Sequence, residues 1–292
     1  MPGVAGSLGQ CQLMTPQTAT DSGREYRFEF GKNWQRFLRV VDLNRIAEAE
    51  RSLGDMLRNE SLTGLAFLDV GCGSGLFSLA AARMGAERVH SFDYDAQSVA
   101  CTMELRKRYF PDTGIWSVER GNVLDQPYLA GLGAWDIVYS WGVLHHSGNM
   151  WQALANVAPL VNSGGRLYVA IYNDQGRKSA MALSVKRLYN QGWWQRGLVS
   201  AAGFSYFLLG GVLKDLLRGR SPLRRFTEYS RMRGMSAVHD WVDWLGGYPF
   251  EVARPESILD FYVGRGFVLE AMTTMGGRNG CNQFVFRQVG LS

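Results

Sequence analysis

The stretch FLDVGCGSGLF, residues 67–77, decides the fold of this chain. It begins with an apolar run typical of a buried strand. It continues into glycines at 71, 73 and 75, which predict a sharp turn into a helix. A dinucleotide-binding turn, G-x-G-x-x-G, would need its third glycine at position 76, where this chain has Leu76. Asp69 would repel a pyrophosphate at the mouth of the turn and would suit a ligand that carries positive charge.

Outward from this turn, apolar β segments alternate with helical stretches, which predicts βαβ units and a parallel sheet covered on both faces. Strands are predicted at 65–70, 88–93, 115–120, 135–140 and 166–172, and helices at 34–57, 76–84, 96–108 and 150–160, the last ended by NSGG. A helix should begin at Pro255. Two final runs, 267–274 and 282–288, are predicted to pair as a terminal hairpin.

The alternation stops between about residues 174 and 250, a segment rich in Trp, Tyr, Arg and Gly. We therefore expect one domain over 26–292 with a helical cap inserted at 174–250, preceded by a flexible polar tail over 1–25. The tail has no basic run followed by an apolar one, so it is not expected to be a signal peptide.

Composition is ordinary for a soluble globular protein, with 46% hydrophobic and 20% charged residues, and the cysteine pattern favours the cytoplasm. The four cysteines form no C-x-x-C pair and no cluster with histidine at zinc spacing. Reduced thiols are therefore expected, with neither a disulfide framework nor a bound metal.

The positive charge of the chain is concentrated in one segment. Residues 177–233 hold twelve basic and two acidic side chains, a net +10, whereas the whole chain carries +5. Within this segment, residues 197–213 are uncharged but short for a membrane span. Two alternatives fit this segment: a buried cap helix, or an interfacial helix that contacts anionic lipid through residues 196–225. Nucleic acid is disfavoured because the arginines lack interleaved aromatic residues.

The pattern D-x-G-x-G-x-G at 69–75 resembles the first motif of the class I S-adenosylmethionine-dependent methyltransferases. The resemblance extends over roughly 65–172 and the two closing strands. It rests also on Asp93 in SFDYD, on GNVLD at 121–125 and on WDIVYSWGVLHH at 135–146. It implies an α/β, Rossmann-like fold with a seven-stranded, mostly parallel sheet, a closing antiparallel hairpin and S-adenosylmethionine as the cofactor.

The resemblance also implies the cofactor contacts. Asp93, 22 residues beyond Gly71, stands where an acid can accept both ribose hydroxyls, with Tyr94 beside the adenine. Asn122 replaces an acid that in the family often accepts from the adenine amino group. The full set of expected cofactor residues is Asp69, Gly71, Cys72, Gly73, Gly75, Asp93, Tyr94, Asn122, Val123, Ser140 and Trp141.

Histidines supply the candidate bases because they titrate near neutral pH. His90 lies inside a predicted strand and is expected in the core, which leaves His145, His146 and His239. An aromatic set of five residues is expected to contact the acceptor. Two of its members, Trp241 and Trp244, are three residues apart and could instead pack one helix face onto the sheet. That set is Trp34, Tyr172, Trp241, Trp244 and Tyr248. The resemblance also allows residues 28–34, which include Trp34, to fold over the cofactor, as N-terminal helices do in family members.

The predicted reaction is methyl transfer to oxygen of a small-molecule acceptor. The stretch SWGVLHH stands where family members that methylate exocyclic amines carry NPPY or DPPY. A membrane-associated enzyme that methylates a quinone or other lipid is the nearest alternative. An NAD-dependent oxidoreductase and a non-catalytic S-adenosylmethionine-binding protein are the others.

Overall fold

The computed structural model describes residues 28, 31, 34, 37, 38, 41–111, 114–217, 219 and 244–290. The predicted tail, His239 and Trp241 lie outside these residues. The strands are β1 Ala66–Val70, β2 Arg88–Asp93, β3 Trp116–Arg120, β4 Trp135–Trp141, β5 Val161–Tyr172, β6 Phe267–Thr273 and β7 Cys281–Gln288. The helices are α1 Leu43–Leu57, α2 Leu76–Arg83, α3 Ala96–Tyr109, α4 Gln126–Leu132, α5 Met150–Val157, α6 Arg177–Gln191, α7 Trp193–Leu217 and α8 Pro255–Val263.

The seven strands form one sheet in the order β3-β2-β1-β4-β5-β7-β6. The first five strands run parallel, and β7 pairs antiparallel with both β5 and β6. This topology confirms the predicted Rossmann-like α/β fold with its closing hairpin. The strand order reverses between β1 and β4, and sheets of this kind bind ligands at the carboxyl ends of the strands at such a point.

Helices cover both faces of the sheet, as the strand–helix alternation predicts. Successive residues of β1 and β4 point to opposite faces, so two separate apolar cores form. One core includes Phe67 and Ile137 with Ile46, Leu79 and Leu105 of α1, α2 and α3. The other includes Leu68 and Val138 with Leu129, Leu154 and Ile258 of α4, α5 and α8.

Two element boundaries differ from the prediction. The helix expected over 34–57 is interrupted, because Asp42 is an extended N-cap whose side chain accepts from the Arg45 N–H at 2.9 Å and starts α1 at Leu43. β5 begins at Val161 instead of Arg166, because the NSGG segment joins the strand across an irregularity in its pairing with β4. Gly165 permits this, since a Cβ there would lie 2.9 Å from the Asp136 carbonyl oxygen.

α6 and α7 lie within the predicted cap. Val199 of α7 packs with Tyr189 of α6 and with Leu245 in a small apolar cluster of their own. No helix in the described ranges combines the length and the apolar character that crossing a bilayer requires.

Candidate cofactor and acceptor site

The glycine turn connects the carboxyl end of β1 to α2. Gly71 has a φ of 79°, and its N–H donates to the Phe92 carbonyl at the end of β2 at 2.8 Å. A side chain at Gly71 would overlap that of Val143, which follows β4. Glycine is required here both by the positive φ and by this close approach. The turn thereby joins the ends of the three central strands.

Asp93 carries a carboxylate that the backbone fixes beside this turn. Its Oδ2 accepts from the Gly73 N–H at 3.0 Å and its Oδ1 from the Asp95 N–H at 2.9 Å. A carboxylate oxygen has two lone pairs, so each can accept one more hydrogen bond. Burial raises the pKa of Asp93 to about 6, which still leaves it ionised at neutral pH. This geometry fits two adjacent ribose hydroxyls.

Asp69 lies in the protein interior beneath the turn. The prediction that its carboxyl group stands at the mouth of the turn is corrected by this position. It is 2% exposed, and the Ser78 hydroxyl of α2 donates to its Oδ2 at 2.5 Å. Ser78 in turn contacts the Ser91 hydroxyl at 2.7 Å, to which the Trp116 indole N–H donates. Burial raises the pKa of Asp69 to about 7. This network holds α2 against β1, and a direct cofactor contact of Asp69 stays a prediction.

Two other members of the motif serve the packing of α3 on the turn. The Thr102 hydroxyl of α3 lies 3.2 Å from the Cys72 sulfur and 3.3 Å from the Gly73 carbonyl oxygen. A Cβ at Gly75 would lie 2.7 Å from Thr102, so glycine permits this approach. Cys72 is buried with its thiol turned toward Thr102, and only its backbone lies on the turn.

The residues expected near adenine lie at the ends of β2 and β3. Tyr94 is 40% exposed, and the Arg120 guanidinium lies 5.5 Å from its ring centre. The Asn122 side-chain oxygen accepts from the Leu124 N–H at 3.0 Å, so it can accept from an adenine amino group only with its second lone pair. Val123 is buried in the core, which limits its side chain to packing.

Ser140 and Trp141, the expected cofactor residues at the end of β4, are one buried and one exposed side chain. The Ser140 hydroxyl is fully buried and donates to the Val70 carbonyl at 3.0 Å, which fixes the end of β4 to β1. Trp141 is 44% exposed, and its indole N–H donates to the Gln283 side chain of β7 at 3.2 Å.

Trp34 lies on the cofactor side of the site, although the sequence analysis assigned it to the acceptor. A Cβ at Gly73 would lie 3.0 Å from its indole ring, so the ring covers the glycine turn. The Gly31 N–H donates to Asp95 Oδ2 at 2.8 Å and ties this segment to the end of β2. The turn, Asp93, Tyr94 and Trp34 thus lie together at the carboxyl ends of β1 and β2, where the resemblance predicts S-adenosylmethionine.

His145 and His146 lie together in a 3-10 turn over Leu144–His146, next to the last residue of β5. Their ring centres are 4.4 Å apart, and those of His145 and Tyr172 are 4.1 Å apart. His146 Nδ1 lies 2.5 Å from the Pro249 carbonyl oxygen, which assigns the proton to Nδ1 and the lone pair to Nε2. His145 is 1% exposed, and neither ring nitrogen has a hydrogen-bond partner among the described residues.

Burial makes both histidines weaker bases than the sequence analysis expected. The pKa of His146 is lowered to about 3 by burial and by the charge of Lys186, against the hydrogen bond to the Pro249 carbonyl, which raises it. The pKa of His145 is lowered well below its usual value by burial, by His146 and by Lys186. Both rings are therefore neutral at neutral pH. The unprotonated Nε2 of His146 is a hydrogen-bond acceptor but a weak general base, because a general base works best with a pKa near the working pH.

Residues 244–253, here named the strap, connect the cap to this histidine turn. The Asn190 side chain of α6 donates to the Gly246 carbonyl at 2.7 Å, and the Phe28 N–H donates to the Tyr248 carbonyl at 2.9 Å. The Glu251 N–H donates to the His145 carbonyl at 3.0 Å. The sequence analysis named Trp244 and Tyr248 of the strap but missed its contacts, because they join residues far apart in the chain.

Trp244, at the start of the strap, has an indole ring 6.0 Å from that of Phe207 of α7 and packs on the cap. This contact is with the cap, whereas the packing alternative placed the residue against the sheet. Tyr172 and the strap residue Phe250 have ring centres 5.3 Å apart, so the strap adds to the aromatic cluster beside the histidines. His90, expected in the core, is buried, with Nδ1 2.7 Å from the Ser117 hydroxyl.

Comparisons with known proteins agree with this geometry. A family model described as "Methyltransferase domain" matches residues 68–169. A ubiquinone biosynthesis O-methyltransferase of Parvibaculum lavamentivorans is 30% identical over 183 residues, which cover 58% of this chain and 70% of that protein. A protein of the same name from Methylobacterium sp. is 30% identical over 143 residues, or 49% of this chain and 55% of that relative's length.

Among solved structures, magnesium protoporphyrin IX methyltransferase from Synechocystis PCC 6803 with bound SAH has the same fold. Its TM-score is 0.50 at 13% identity, and the superposition covers 88% of this chain and 93% of that one. The family match begins inside the strand before the glycine turn and ends in β5. Together with a relative that matches over more than two thirds of its length, it shows that this chain belongs to the class I S-adenosylmethionine-dependent methyltransferases.

Proposed function

We propose that this enzyme methylates an oxygen atom of a small apolar acceptor of the quinone-precursor class. The observation that carries the proposal is the neutral, aromatic cluster at the carboxyl ends of β4 and β5. It consists of His145, His146, Tyr172 and Phe250, with ring centres 4.1 to 5.5 Å apart. Flat aromatic acceptors suit such surroundings. The relatives named as ubiquinone biosynthesis O-methyltransferases support the same class.

The position of this cluster relative to the glycine turn fits direct transfer. Val143 covers Gly71, and the two histidines follow it by two and three residues. S-adenosylmethionine supplies a methyl group that is already activated by its sulfonium. The protein must then bring the acceptor oxygen into line with the methyl carbon and exclude water. In the proposed arrangement, His146 Nε2 orients the acceptor hydroxyl through a hydrogen bond.

The test is a matched acceptor pair with the purified enzyme and S-adenosylmethionine. 1,4-Dihydroxynaphthalene offers hydroxyl groups, and 1,4-diaminonaphthalene offers amino groups on the same ring. We expect mass spectrometry to detect one added methyl group, on oxygen, in the first compound only. Methylation of the diamine without methylation of the diol would contradict the proposal.

A second proposal concerns lipid contact and rests on the exposed face of α7. Leu198, Tyr206 and Leu209 are 59%, 75% and 67% exposed, and Trp193 and Trp194 at the start of the helix are 86% and 58% exposed. Among the described side chains of α7, Val199 packs in the apolar cluster with Tyr189 and Leu245. Because the segment 177–233 carries a net +10, the partner that fits is a bilayer surface with anionic headgroups. An apolar acceptor could then be taken from that bilayer.

Vesicle sedimentation tests the lipid contact. We expect the enzyme to bind vesicles that contain phosphatidylglycerol and to bind them about tenfold less after Leu198→Glu and Leu209→Glu together, because two charges would enter the interface. Met181→Glu is the matched control, since Met181 is 67% exposed on the neighbouring helix α6. Equal binding by the double variant and the control would contradict the lipid contact and leave the proposed reaction untouched.

A further inference from the structure

A group of three arginines and one glutamate lies on the sheet near the end of helix α1. Arg166 of β5 and Arg287 of β7 stand directly opposite each other in the antiparallel pair. Their Nε groups donate to the two oxygens of Glu270 of β6, Arg166 to Oε2 and Arg287 to Oε1, each at 2.7 Å. Like charges that face each other across two strands repel, so Glu270 holds the two guanidinium groups side by side.

Glu270 is directed at the arginines by a bulge in β6. It is the extra residue between 269 and 271, which pair with consecutive residues of β7. A bulge turns a side chain out of the regular alternation of a strand. Burial alone would raise the pKa of Glu270, but Arg166 and Arg287 lower it below its usual value. The carboxyl group is therefore ionised, and its single negative charge is shared between two cations.

The third arginine, Arg58, follows the last residue of α1 in an unfavourable backbone conformation. Its φ is 53° and its ψ is 39°, and it is the one non-glycine residue with a positive φ among the described residues. Helices commonly end with glycine in this left-handed conformation, because a Cβ is disfavoured there. A backbone outlier of this kind points to a role for its side chain.

These side chains meet at a cavity between the end of α1 and the sheet. Its volume is about 240 Å³, and it is lined by Met56, Leu57, Arg58, Arg166 and Glu270. Arg166 and Arg287 each use only Nε for Glu270, and the three arginine side chains have no other hydrogen bond or ion pair among the described residues. A guanidinium group carries five N–H donors. Three such groups with one carboxylate between them leave donors available for a second anion.

We propose that this cavity binds a phosphate group, either free or as the monoester of a small organic molecule. Guanidinium groups bind phosphate oxygens through paired N–H donors, and Met56 and Leu57 supply an apolar wall for an organic part. Arg166 precedes Tyr172 by six residues on β5, about 20 Å along the strand. The site is therefore separate from the acceptor cluster, and it goes beyond the proposed methyl transfer.

Calorimetry tests the proposal on enzyme saturated with S-adenosylhomocysteine, so that the cofactor site is occupied. We expect phenyl phosphate to bind with a Kd of about 0.1 mM. Inorganic phosphate is the second probe. Tighter binding of phenyl phosphate assigns the phosphate group to an organic molecule, and equal binding assigns it to free phosphate. If neither probe binds at about 10 mM, the proposal is overturned.

Arg58→Gly separates ligand binding from stability. Glycine suits a φ of 53°, so the midpoint of urea unfolding should rise, whereas phenyl phosphate should bind about tenfold more weakly. Arg51→Gln is the matched control, because the side chain of Arg51 is 63% exposed on the same helix and pairs with Glu48. Equal phenyl phosphate affinities in Arg58→Gly and Arg51→Gln would overturn the proposal.

Glu270→Gln tests the competition between the carboxylate and the phosphate group. Glutamine keeps an oxygen that can accept from an arginine but has no negative charge. Phenyl phosphate should therefore bind about tenfold more tightly, a gain that a residue needed only for strand pairing would not give. Unchanged or weaker binding in the folded variant would contradict the proposal. Should Glu270→Gln fail to fold, the exposed Arg58→Gly variant still decides.

Discussion

The cofactor side and the acceptor side of this site are built by different means. On the cofactor side, the Gly73 N–H and Asp93 are 20 residues apart, and the Asp95 N–H and Asp93 only two. On the acceptor side, His146 and Pro249 are 103 residues apart. Backbone groups at strand ends make a site that a short motif can encode, whereas the acceptor cluster depends on how the cap and strap pack.

The two sides also differ in charge. Asp69 and Asp93 bring two carboxyl groups to the glycine turn, and Lys186 brings an ammonium group to the histidines. The carboxyl groups suit a cationic methyl donor on the cofactor side. Changes on one side should therefore leave the other side's ligand unaffected, and the following predictions use that separation.

The largest effect is expected from Gly71→Ala. The new Cβ would overlap Val143 and would also occupy a positive φ, so the turn must move. We expect S-adenosylmethionine affinity, measured by calorimetry, to fall at least about 100-fold. Gly64→Ala is the control, because Gly64 has a φ of 76° but nothing within 4 Å of the added Cβ. Equal losses of S-adenosylmethionine affinity in both variants would mean that backbone strain alone, and not the overlap with Val143, is responsible.

Asp69→Asn should change how stability depends on pH. The pKa of Asp69 is raised from 3.8 to about 7 in the folded protein, so its stabilising contribution is complete below about pH 4 and is lost as pH rises through 7. Asparagine does not titrate, so the variant lacks this loss. Its unfolding free energy relative to that of the unchanged protein should rise by about 2 kcal/mol between pH 5 and pH 8. Urea unfolding of both proteins at pH 5 and at pH 8 measures this difference in unfolding free energy.

The control for that experiment is Asp42→Asn, whose side chain is 53% exposed at the start of α1. We expect the unfolding free energy of Asp42→Asn, relative to the unchanged protein, to show no comparable gain between pH 5 and pH 8. A gain of the same size in Asp42→Asn, or none in Asp69→Asn, would contradict the assignment of the pH dependence to the buried carboxyl group.

His146→Asn tests the ring atom that faces the proposed acceptor. Asparagine can still donate to the Pro249 carbonyl but has no group in place of Nε2. Turnover of the oxygen acceptor should fall about tenfold, with cofactor affinity unchanged. His146→Ala should in addition lose about 1 kcal/mol of unfolding free energy, since the carbonyl loses its donor. Full turnover in His146→Asn would exclude a role for Nε2.

The smallest effect is expected from Asn190→Ala, on the link between α6 and the strap. Its side chain donates to the Gly246 and Lys186 carbonyls at 2.7 and 2.8 Å. Losing these bonds should cost about 1 kcal/mol of unfolding free energy and raise the acceptor KM a few-fold. The Kd of S-adenosylmethionine should not change. A loss of cofactor affinity instead would show that the two sides are coupled.

Prediction from sequence succeeded where the relevant contacts are local. The five parallel strands and the hairpin follow from apolar runs bounded by turns, and the structure confirms them. The predicted extent of the N-terminal helix was wrong, because Asp42 lies within the predicted range but is an N-cap. The start of β5 was wrong because a pairing irregularity lets two glycines continue a strand. Single-sequence patterns carry no information on such tertiary pairing.

The sequence by itself determined the sheet, the glycine turn and the identity of the acid at the end of β2, because strand ends bring these residues together in any fold of this class. Only the tertiary structure decided that Asp69 is buried on Ser78, that Trp34 covers the turn, and that Lys186 is buried beside the histidines. Those outcomes depend on burial and on contacts between distant segments. Burial raises the pKa of Asp69, and a residue's type and spacing do not reveal how deeply it is buried.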